Sequence, residues 1–477
     1  MDHRADTYIG GRWTESRGED VIAVLDPSTG HCVATVRESA AEDVDAAVDA
    51  ATAARPALRS MEPAARAALL TRIADELEKR SADLAGLISR EMGMPRKHCE
   101  GYQVRTAVTT LRNTAAALPE VEFTTRIGHS TVYREPVGVV AAITPWNFPL
   151  LQTVAKVGPA LAAGCPVVLK PSEITPLDAF VLAEAVHAAG APAGAFNLVL
   201  GNGMNVGEYL VGHPGTAMVS LTGSTRAGRR VARLAAPGVK RVALELGGKS
   251  ASVVLPDGDL AAAVAGSVRT VMINSGQTCT ALTRLLVPFQ KLAEAETLVA
   301  EAMAAYRVGM PHDPDADVGP LASAGQQQRV NEHLERAPVD GARTIWAHPP
   351  DKLPRTGFFA GPAAFTVTDP RIPLAQQEVF GPLLAVIPYV DETDAVDIAN
   401  GTDYGLAAAV WSADEERALA VAGRLEAGSV AVNGAPFNGL APFGGYKQSG
   451  HGRELGAYGI AEFTEVKSVQ RREGAAR

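Results

Sequence analysis

The chain contains little cysteine, few aromatic residues and no long apolar run. Its 477 residues include four cysteines, Cys32, Cys99, Cys165 and Cys279, and no Cys-x-x-Cys pair. So few cysteines exclude a disulfide scaffold, and the missing pairs argue against a thioredoxin-like site or a zinc ribbon. The longest apolar stretch near the middle, residues 137–143, is far shorter than the ~20 residues that a membrane helix needs. We therefore expect no association with membranes.

A basic surplus and metal-binding patterns are also missing. The chain has 44 basic and 53 acidic residues, whereas nucleic-acid-binding proteins usually carry a basic surplus or stripe. We therefore expect no nucleic-acid partner. The ten histidines form no His-x-His or His-x-x-x-His pair, so no metal site is expected. The first residues lack the apolar segment of a secretory signal, and we expect a soluble, cytoplasmic protein.

Length and apolar pattern predict several α/β domains. At ~150 residues each, the chain corresponds to about three domains. Apolar residues recur at helical spacing over residues 40–118, and one later helix, residues 176–190, is predicted to begin with Thr175 as its N-cap. Helix-like segments alternate with strands predicted at residues 137–143, 167–169, 196–200, 218–221, 242–246 and 251–255. This alternation is typical of a doubly wound, parallel sheet, in which ligands bind beyond the carboxyl ends of the strands.

Polar side chains follow two of the predicted strands. Asn147 lies between Pro145 and Pro149, where its amide is suited either to a substrate oxygen or to local backbone groups. Lys170 and Glu173 follow the next strand, where they suit either the hydroxyls of a ligand or a surface ion pair at a turn. The residues alone favour the local, structural interpretation in both cases.

Two segments that contain glycine are suited to phosphate. Gly203 and Gly207 belong to a Gly-x-Gly-x-x-x-Gly segment, one residue longer than the dinucleotide fingerprint and weakly specific. Gly223 and Ser224 open a predicted helix, where free N–H groups and the helix dipole favour a phosphate. An ordinary helix cap is the alternative at Ser224.

Glu245 and Cys279 are the candidate catalytic residues. Glu245 interrupts an apolar predicted strand, and burial there would raise the pKa of its carboxyl toward that of a useful general base. Cys279 lies in a loop of Gly, Ser, Gln and Thr, which suits an exposed nucleophile better than a core residue. Because the histidines form no obvious partner for this thiol, Glu245 is the candidate base. The other three cysteines are interpreted as replaceable packing residues.

These segments, in this order, resemble the aldehyde dehydrogenase superfamily over essentially the whole chain. The individual motifs are weak, whereas their joint order and spacing are highly specific. The resemblance rests on residues 9–13, 145–149, 170–173, 223–228, 245–250, 276–279, 378–382 and 442–450.

The resemblance implies a mechanism for the oxidation of an aldehyde to a carboxylic acid. Cys279 would attack the aldehyde to form a thiohemiacetal, and loss of hydride would leave a thioester. The amide of Asn147 and the backbone N–H of Cys279 would form the oxyanion hole. Glu245 would activate the water that hydrolyses the thioester.

The resemblance also implies a nicotinamide cofactor, NAD, with NADP possible. Lys170 and Glu173 would hold the adenosine ribose, and the carboxylate of Glu173 would repel a 2′-phosphate, which favours NAD. The residues expected at the cofactor are Ile143, Thr144, Trp146, Lys170, Ser172, Glu173, Gly203, Gly207, Gly223, Ser224, Leu246, Glu378 and Phe380.

The aldehyde itself is predicted less sharply. The resemblance implies an apolar tunnel, which favours aliphatic, aromatic or terpenoid aldehydes over short dicarboxylic semialdehydes because no Arg or Lys is among its residues. The expected lining is Phe148, Leu151, Val154, Phe437 and Phe443.

The family fold implies a Rossmann-like NAD-binding domain, an α/β catalytic domain and a small β extension for oligomerisation. We expect the first at residues 1–118 and 138–246, the second at 247–445, and the third at 119–137 and 446–477. Proteins of this kind form homodimers or homotetramers.

Three other functions are compatible with parts of this sequence pattern. A CoA-acylating semialdehyde dehydrogenase has the same fold but generally lacks the base, which Glu245 supplies here. A non-catalytic structural or binding protein is disfavoured because each expected catalytic position is filled. A thiol esterase that needs no nicotinamide would require no cofactor for turnover.

Overall fold

The computed structural model describes residues 2–472, and its largest sheet carries the strand ends on which the site is built. Five neighbouring strands of this sheet are parallel, and the edge strands are antiparallel. In spatial order the strands are Gly450–His451, Arg241–Glu245, Met218–Thr222, Val140–Ile143, Val167–Lys170, Phe196–Leu198, Asp6–Ile9 and Arg12–Glu15. The doubly wound prediction is therefore confirmed, and the predicted strand ends are shifted by at most three residues.

The register of these strands aligns their carboxyl ends. Ile143 is paired with Lys170 on one side and with Leu221 on the other, and Thr222 is paired with Glu245. Residues that follow these positions therefore converge on one edge of the sheet, where ligands of such folds bind.

Helices cover both faces of this sheet. Apolar residues at helical spacing in the early helices, such as Leu69, Ile73 and Leu77, are buried in one core, and Val44 and Val48 are buried in another. The helices are Ala41–Ser60, Pro63–Glu78, Ser81–Met92, Arg96–Cys99, Thr106–Ala117, Pro149–Ala163, Leu177–Ala188, Glu208–Gly212 and Thr225–Ala235, with π-helical turns at Glu100–Arg105 and Gly203–Gly207.

A second α/β layer follows in sequence. Its strands, parallel except at one edge, are Arg343–Ala347, Ala363–Thr366, Leu383–Tyr389, Arg284–Pro288, Ala251–Val254, Ala407–Trp411 and Ser429–Val432. Its helices are Leu260–Met272, Leu292–Ala304, Ala324–Val339, Pro373–Gln376, Glu392–Asn400 and Glu415–Ala422.

A three-stranded antiparallel sheet of Thr464–Gln470, Ser130–Pro136 and Thr124–Ile127 carries mostly exposed side chains. The strand Gly450–His451, which joins the first sheet, and the helix Gly456–Glu462 precede the strand Thr464–Gln470 in the chain. The remaining strands are Asp2–Arg4, Val21–Leu25, Cys32–Arg37, Tyr404–Gly405 and Tyr446–Lys447. The domain boundaries stay a prediction. None of the helices in residues 2–472 combines the length and apolar character that crossing a bilayer requires.

The predicted start of one helix is wrong. The helix begins at Leu177, with Pro176 as the N-cap, and the Thr175 hydroxyl instead donates to the carbonyl of Trp146 at 3.3 Å. The free N–H of Leu177 donates to the buried carboxylate of Glu91 at 3.1 Å. A side chain 86 residues earlier thus takes the role that the sequence pattern gave to Thr175.

Arg284 joins the second sheet to a neighbouring loop and to the last turn of the helix Glu392–Asn400 from a buried position. Its guanidinium donates to the carbonyls of Lys249, Ile398 and Ala399 at 2.8, 2.7 and 2.7 Å. Burial lowers the pKa of this side chain to about 9. The three carbonyls depend on this group because buried acceptors without a donor are costly.

Replacing Arg284 with Leu should therefore lower the free energy of unfolding by about 3 kcal/mol or more. Urea denaturation followed by circular dichroism measures this change. The matched control is Arg371→Leu, since Arg371 is exposed and its side chain binds Asp369 beside it. Equal denaturation midpoints for the two variants would contradict this role of Arg284.

Candidate active site

Asn147 follows the strand Val140–Ile143 and lies against the predicted cysteine loop. Its carbonyl accepts hydrogen bonds from Gln103 Nε2 at 3.0 Å and from Asn274 Nδ2 at 2.9 Å. Its own side-chain amide donates to the carbonyl of Gln277 at 3.0 Å, and the residue is buried. An amide carries two N–H donors, so one remains for a further acceptor.

The loop that carries Cys279 has a constrained backbone. Asn274, Ser275 and Gly276 all have positive φ angles, of 54°, 55° and 74°. A Cβ on Gly276 would lie 2.2 Å from the carbonyl carbon of Gly381, so only glycine fits there. The side chain of Gln277 donates to the carbonyl of Asn274 and accepts from the N–H of Ala322. These contacts fix the loop against two other segments.

Cys279 lies among acidic groups. Burial, together with the charges of Glu378 and Glu245, raises the pKa of its thiol to about 12. Its carbonyl packs against Gly248, where a Cβ would come within 2.5 Å of the oxygen. The thiol is partly exposed, and Glu245 is one of the titratable groups whose charge acts on it.

Glu245 ends the strand Arg241–Glu245 and points into the protein. It is buried, and burial raises the pKa of its carboxyl well above the usual value, with Glu454 adding to the effect. Lys156 Nζ lies 2.5 Å from Glu454 Oε1 and acts in the opposite direction on Glu245. Glu245 Oε2 has no hydrogen-bond partner within residues 2–472. The burial on which the expected rise in pKa depends is therefore observed.

Lys156 and Glu454 were not identified from the sequence. Lys156 stands inside the apolar helix Pro149–Ala163, and a lysine within an apolar helical run is a signal that a buried partner exists. Glu454 is 298 residues away in the chain, so no local pattern connects the two.

Lys170 and Glu173 form an ion pair in which the lysine is buried. Lys170 is buried, and its Nζ donates to the carbonyls of Pro171 and Gly201 at 2.8 and 2.9 Å. Glu173 lies at 3.7 Å from the same nitrogen and keeps part of its carboxylate exposed. Burial lowers the pKa of Lys170, whereas the neighbouring Glu173 raises it. The two residues do pair at this turn, as the structural interpretation expected, but Lys170 is buried and only Glu173 reaches the surface.

The two segments considered for phosphate binding form helix starts. The Ser224 hydroxyl accepts from the N–H of Ala227 at 3.2 Å, so Ser224 is the N-cap of Thr225–Ala235. The buried hydroxyl of Thr222 beside it has no partner within the described residues. Gly203 and Gly207 bound a π-helical turn that Asn202 caps.

Leu246 and Gly223 border the helix Thr225–Ala235. A Cβ on Gly228 would lie 2.7 Å from Leu246 Cδ1, so the glycine lets the helix approach this leucine closely. At the neighbouring strand ends, the N–H of Thr144 donates to the carbonyl of Lys170 at 3.2 Å. The Ser172 hydroxyl accepts from the N–H of Ile174 at the same distance. These hydrogen bonds fix the backbone of the loops that follow the strands at this edge of the sheet.

Glu378 and Phe380 come to this edge from the second layer. Glu378 Oε1 accepts from the N–H of Gly248 at 2.9 Å, and burial raises the pKa of its carboxyl to about 7. Phe380 meets Trp146 edge-on, with ring centroids 5.3 Å apart. Residues of both layers therefore face one cleft.

The predicted tunnel residues fall into two groups. Phe148 and Val154 are buried in the first core, and Leu151 packs against it half-buried. Phe437 is exposed and meets Phe443 edge-on at 5.9 Å. A shared tunnel stays a prediction. Among the described residues, no three His, Cys, Asp or Glu side chains are grouped to hold a metal ion.

The sequence of this chain matches known proteins over almost its whole length. The model of the aldehyde dehydrogenase family matches residues 13–469. A 3-succinoylsemialdehyde-pyridine dehydrogenase of a Pseudomonas species is 44% identical over 477 residues, which cover 99% of this chain and 100% of the relative.

Solved structures show the same similarity in three dimensions. An aldehyde dehydrogenase C variant from Pseudomonas syringae, in complex with NAD+ and octanal, has 43% identity and a TM-score of 0.96, covering 98% of this chain and 96% of that one. An aldehyde dehydrogenase of Mycobacterium tuberculosis in complex with NAD+ has 40% identity and a TM-score of 0.96, with all of both chains covered. The chain therefore belongs to the aldehyde dehydrogenase family.

Proposed function

We propose that this chain oxidises an aldehyde to a carboxylic acid with NAD, through covalent intermediates on Cys279. The observation that carries this proposal is the placement of Cys279 on a fixed loop. Asn147 contacts that loop, and the buried carboxylate of Glu245 acts on the thiol. Nucleophile, oxyanion donor and base thus come from three segments that the sheet edge and the loop bring together.

Cys279 forms the first bond. Its sulfur adds to the carbonyl carbon of the aldehyde without a dedicated base, and the proton of this partly exposed thiol leaves to solvent. The second N–H of the Asn147 amide and the backbone N–H of Cys279 stabilise the charge on the substrate oxygen. One such donor typically contributes about 3–4 kcal/mol.

The tetrahedral adduct then loses hydride from the former aldehyde carbon and becomes a thioester on Cys279. NAD, when bound, supplies the acceptor for this hydride. The residues of the cleft fit such a cofactor, because the helix start at Ser224, the unpartnered Thr222 hydroxyl and the carboxylates of Glu173 and Glu378 match its phosphates and ribose hydroxyls.

The residues that the resemblance implies at the cofactor are proposed to bind NAD. Lys170 and Glu173 hold the adenosine ribose, Ser224 and Trp146 the pyrophosphate, and Glu378 the nicotinamide ribose, with Phe380 beside it. The other proposed contacts are Ile143, Thr144, Ser172, Gly203, Gly207, Gly223 and Leu246.

Glu245 completes the cycle by hydrolysis. Burial and Glu454 hold the pKa of its carboxyl above the usual range, so Glu245 is a stronger general base toward water than an ordinary carboxylate. The activated water attacks the thioester, and the carbon–sulfur bond breaks to release the acid. The presence of this base favours water over CoA as the acyl acceptor.

The proposal also covers the domains and the assembly of the protein. The NAD-binding, catalytic and oligomerisation regions have the boundaries given above, and the protein works as a cytoplasmic homodimer or homotetramer. The mostly exposed sheet Thr464–Gln470 with its neighbours offers the surface for assembly.

The expected tunnel residues favour aldehydes with an apolar part. They are the aromatic pair Phe437 and Phe443, with Phe148, Leu151 and Val154. The complex of the Pseudomonas syringae relative with octanal supports this choice.

Substitution of the nucleophile and the base separates the two half-reactions. Cys279→Ala should lower kcat/KM for octanal by about a thousandfold or more, because no sulfur remains to form the adduct. Glu245→Gln should release one equivalent of reduced nicotinamide in a burst and then stall as the acyl-enzyme. Stopped-flow absorbance measures the burst, and the wild type should form acid in the absence of CoA.

The matched control is Cys32→Ala, since Cys32 lies on the strand Cys32–Arg37 in a separate sheet. Undiminished turnover by Cys279→Ala would contradict the mechanism. A strict CoA requirement in the wild type would favour the acylating alternative. Aldehyde turnover without any nicotinamide would contradict the role of NAD.

Glu173 should determine the preference for NAD over NADP. Its partly exposed carboxylate lies 3.7 Å from Lys170 Nζ, where it would repel a 2′-phosphate. Glu173→Gln should raise the ratio of kcat/KM for NADP to that for NAD by about tenfold, while the exposed control Glu62→Gln leaves the ratio unchanged. Steady-state kinetics with both cofactors measures it, and a wild type that prefers NADP would refute the assignment.

A further inference from the structure

The backbone carbonyl of Asn147, whose side-chain amide is the proposed oxyanion donor, is held by two buried side chains. Gln103 Nε2 donates to it at 3.0 Å, and Asn274 Nδ2 donates to it at 2.9 Å. All three residues are buried, where a carbonyl without a donor would be costly. Two donors on one carbonyl oxygen fix the peptide unit, and with it the backbone from which the amide of Asn147 projects.

The two donors come from different parts of the chain. Asn274 belongs to the loop that carries the nucleophile, and its amide also lies 3.3 Å from the carbonyl of Gln277, the acceptor of the Asn147 amide. Gln103 lies in the π-helical turn Glu100–Arg105, among the helices that cover the first sheet. Gln103 is therefore the donor that joins Asn147 to a part of the protein other than the nucleophile loop.

Gln103 is a polar side chain in apolar surroundings. Its Nε2 lies 3.8 Å from Met92 Sδ and 3.9 Å from Met94 Sδ, and both methionines are buried in the first core. Its Oε1 has no hydrogen-bond partner within residues 2–472. A buried amide with an unpaired acceptor is costly, and a methionine of similar length would avoid that cost. The hydrogen bond to Asn147 is the interaction that such an apolar residue could not make.

The backbone around Gln103 is also irregular. The π-helical turn Glu100–Arg105 lies between the helices Arg96–Cys99 and Thr106–Ala117. Turns of this kind are rare in proteins and occur frequently at functional sites. An irregular backbone and an unpaired buried acceptor thus coincide at the residue that contacts Asn147.

We propose that Gln103 is a positioning residue for the oxyanion hole. By holding the carbonyl of Asn147, it keeps the amide of that residue directed at the substrate oxygen, and it acts through Asn147 rather than on the substrate. Oxyanion donors are effective when their geometry is set before the charge develops. Gln103 should therefore assist both the addition of the thiol and the attack of water on the thioester. The inference rests on the proposed oxidation of an aldehyde through Cys279.

Gln103→Met tests this role, because methionine keeps the length and burial of the side chain and removes the donor. With octanal and NAD, the single-turnover rate of reduced nicotinamide formation should fall by about tenfold or more. The melting temperature should stay within ~2 °C of the wild type or rise, since Asn274 still binds the carbonyl and the unpaired acceptor is gone. A residue that served only the core would show the opposite, a lower melting temperature with a normal rate in the folded enzyme.

A double-mutant cycle with Asn147→Ala shows whether Gln103 acts through Asn147. Asn147→Ala should itself slow the single-turnover rate by about a hundredfold. In that background, Gln103→Met should change the rate by less than about twofold, because the amide that it positions has been removed. The matched control is Thr114→Val, which removes a buried hydroxyl bonded to the carbonyl of Thr110 and should leave the rate unchanged in both backgrounds.

Three results would each overturn this inference and leave the proposed function intact. They are an unchanged rate in Gln103→Met, a slowing of equal size with and without Asn147→Ala, and a collapse of the melting temperature in Gln103→Met. Failure of the wild type to reduce NAD with octanal, or an undiminished rate in Asn147→Ala, would contradict the proposed function itself, and this inference with it.

Discussion

The ion pair between Lys156 and Glu454 sets the environment of the proposed base. Its two atoms lie 2.5 Å apart in a buried position, and both charges act on Glu245, one of whose oxygens has no hydrogen-bond partner within residues 2–472. Burying an unpaired carboxylate is costly, whereas a paired lysine offsets part of that cost. Glu454 raises the pKa of Glu245 and Lys156 lowers it, so the pair adjusts the strength of the base as well as its position.

The remaining groups reach this centre through the register of the first sheet and the backbone of one loop. Aligned strand ends place Glu245 at the same edge as the segments that carry Asn147 and Lys170. The left-handed residues Asn274, Ser275 and Gly276 then turn the second layer toward that edge, and Asn147 contacts the loop through both its carbonyl and its amide. Chemistry at Cys279 therefore depends on contacts between the two layers.

Local patterns in the sequence were sufficient for the strands and their ends, because burial on both faces requires continuous apolar runs that end where polar residues begin. They were also sufficient to single out Glu245, whose charge interrupts such a run. They failed where the partner is distant in sequence. The first N–H of the helix at Leu177 is accepted by Glu91 rather than by Thr175, and Lys156 meets Glu454 across 298 residues of chain.

The pH dependence of kcat in the wild type and in Glu454→Gln tests the central claim most directly, provided that hydrolysis of the thioester limits turnover. Removing the charge of Glu454 deletes a group that raises the pKa of Glu245 and leaves the Lys156 ammonium to lower it. The account predicts that activity falls on acidification as Glu245 gains a proton, and that this fall moves to lower pH in the variant. An acid limb at the same pH in both proteins, or one that moves to higher pH, would contradict it.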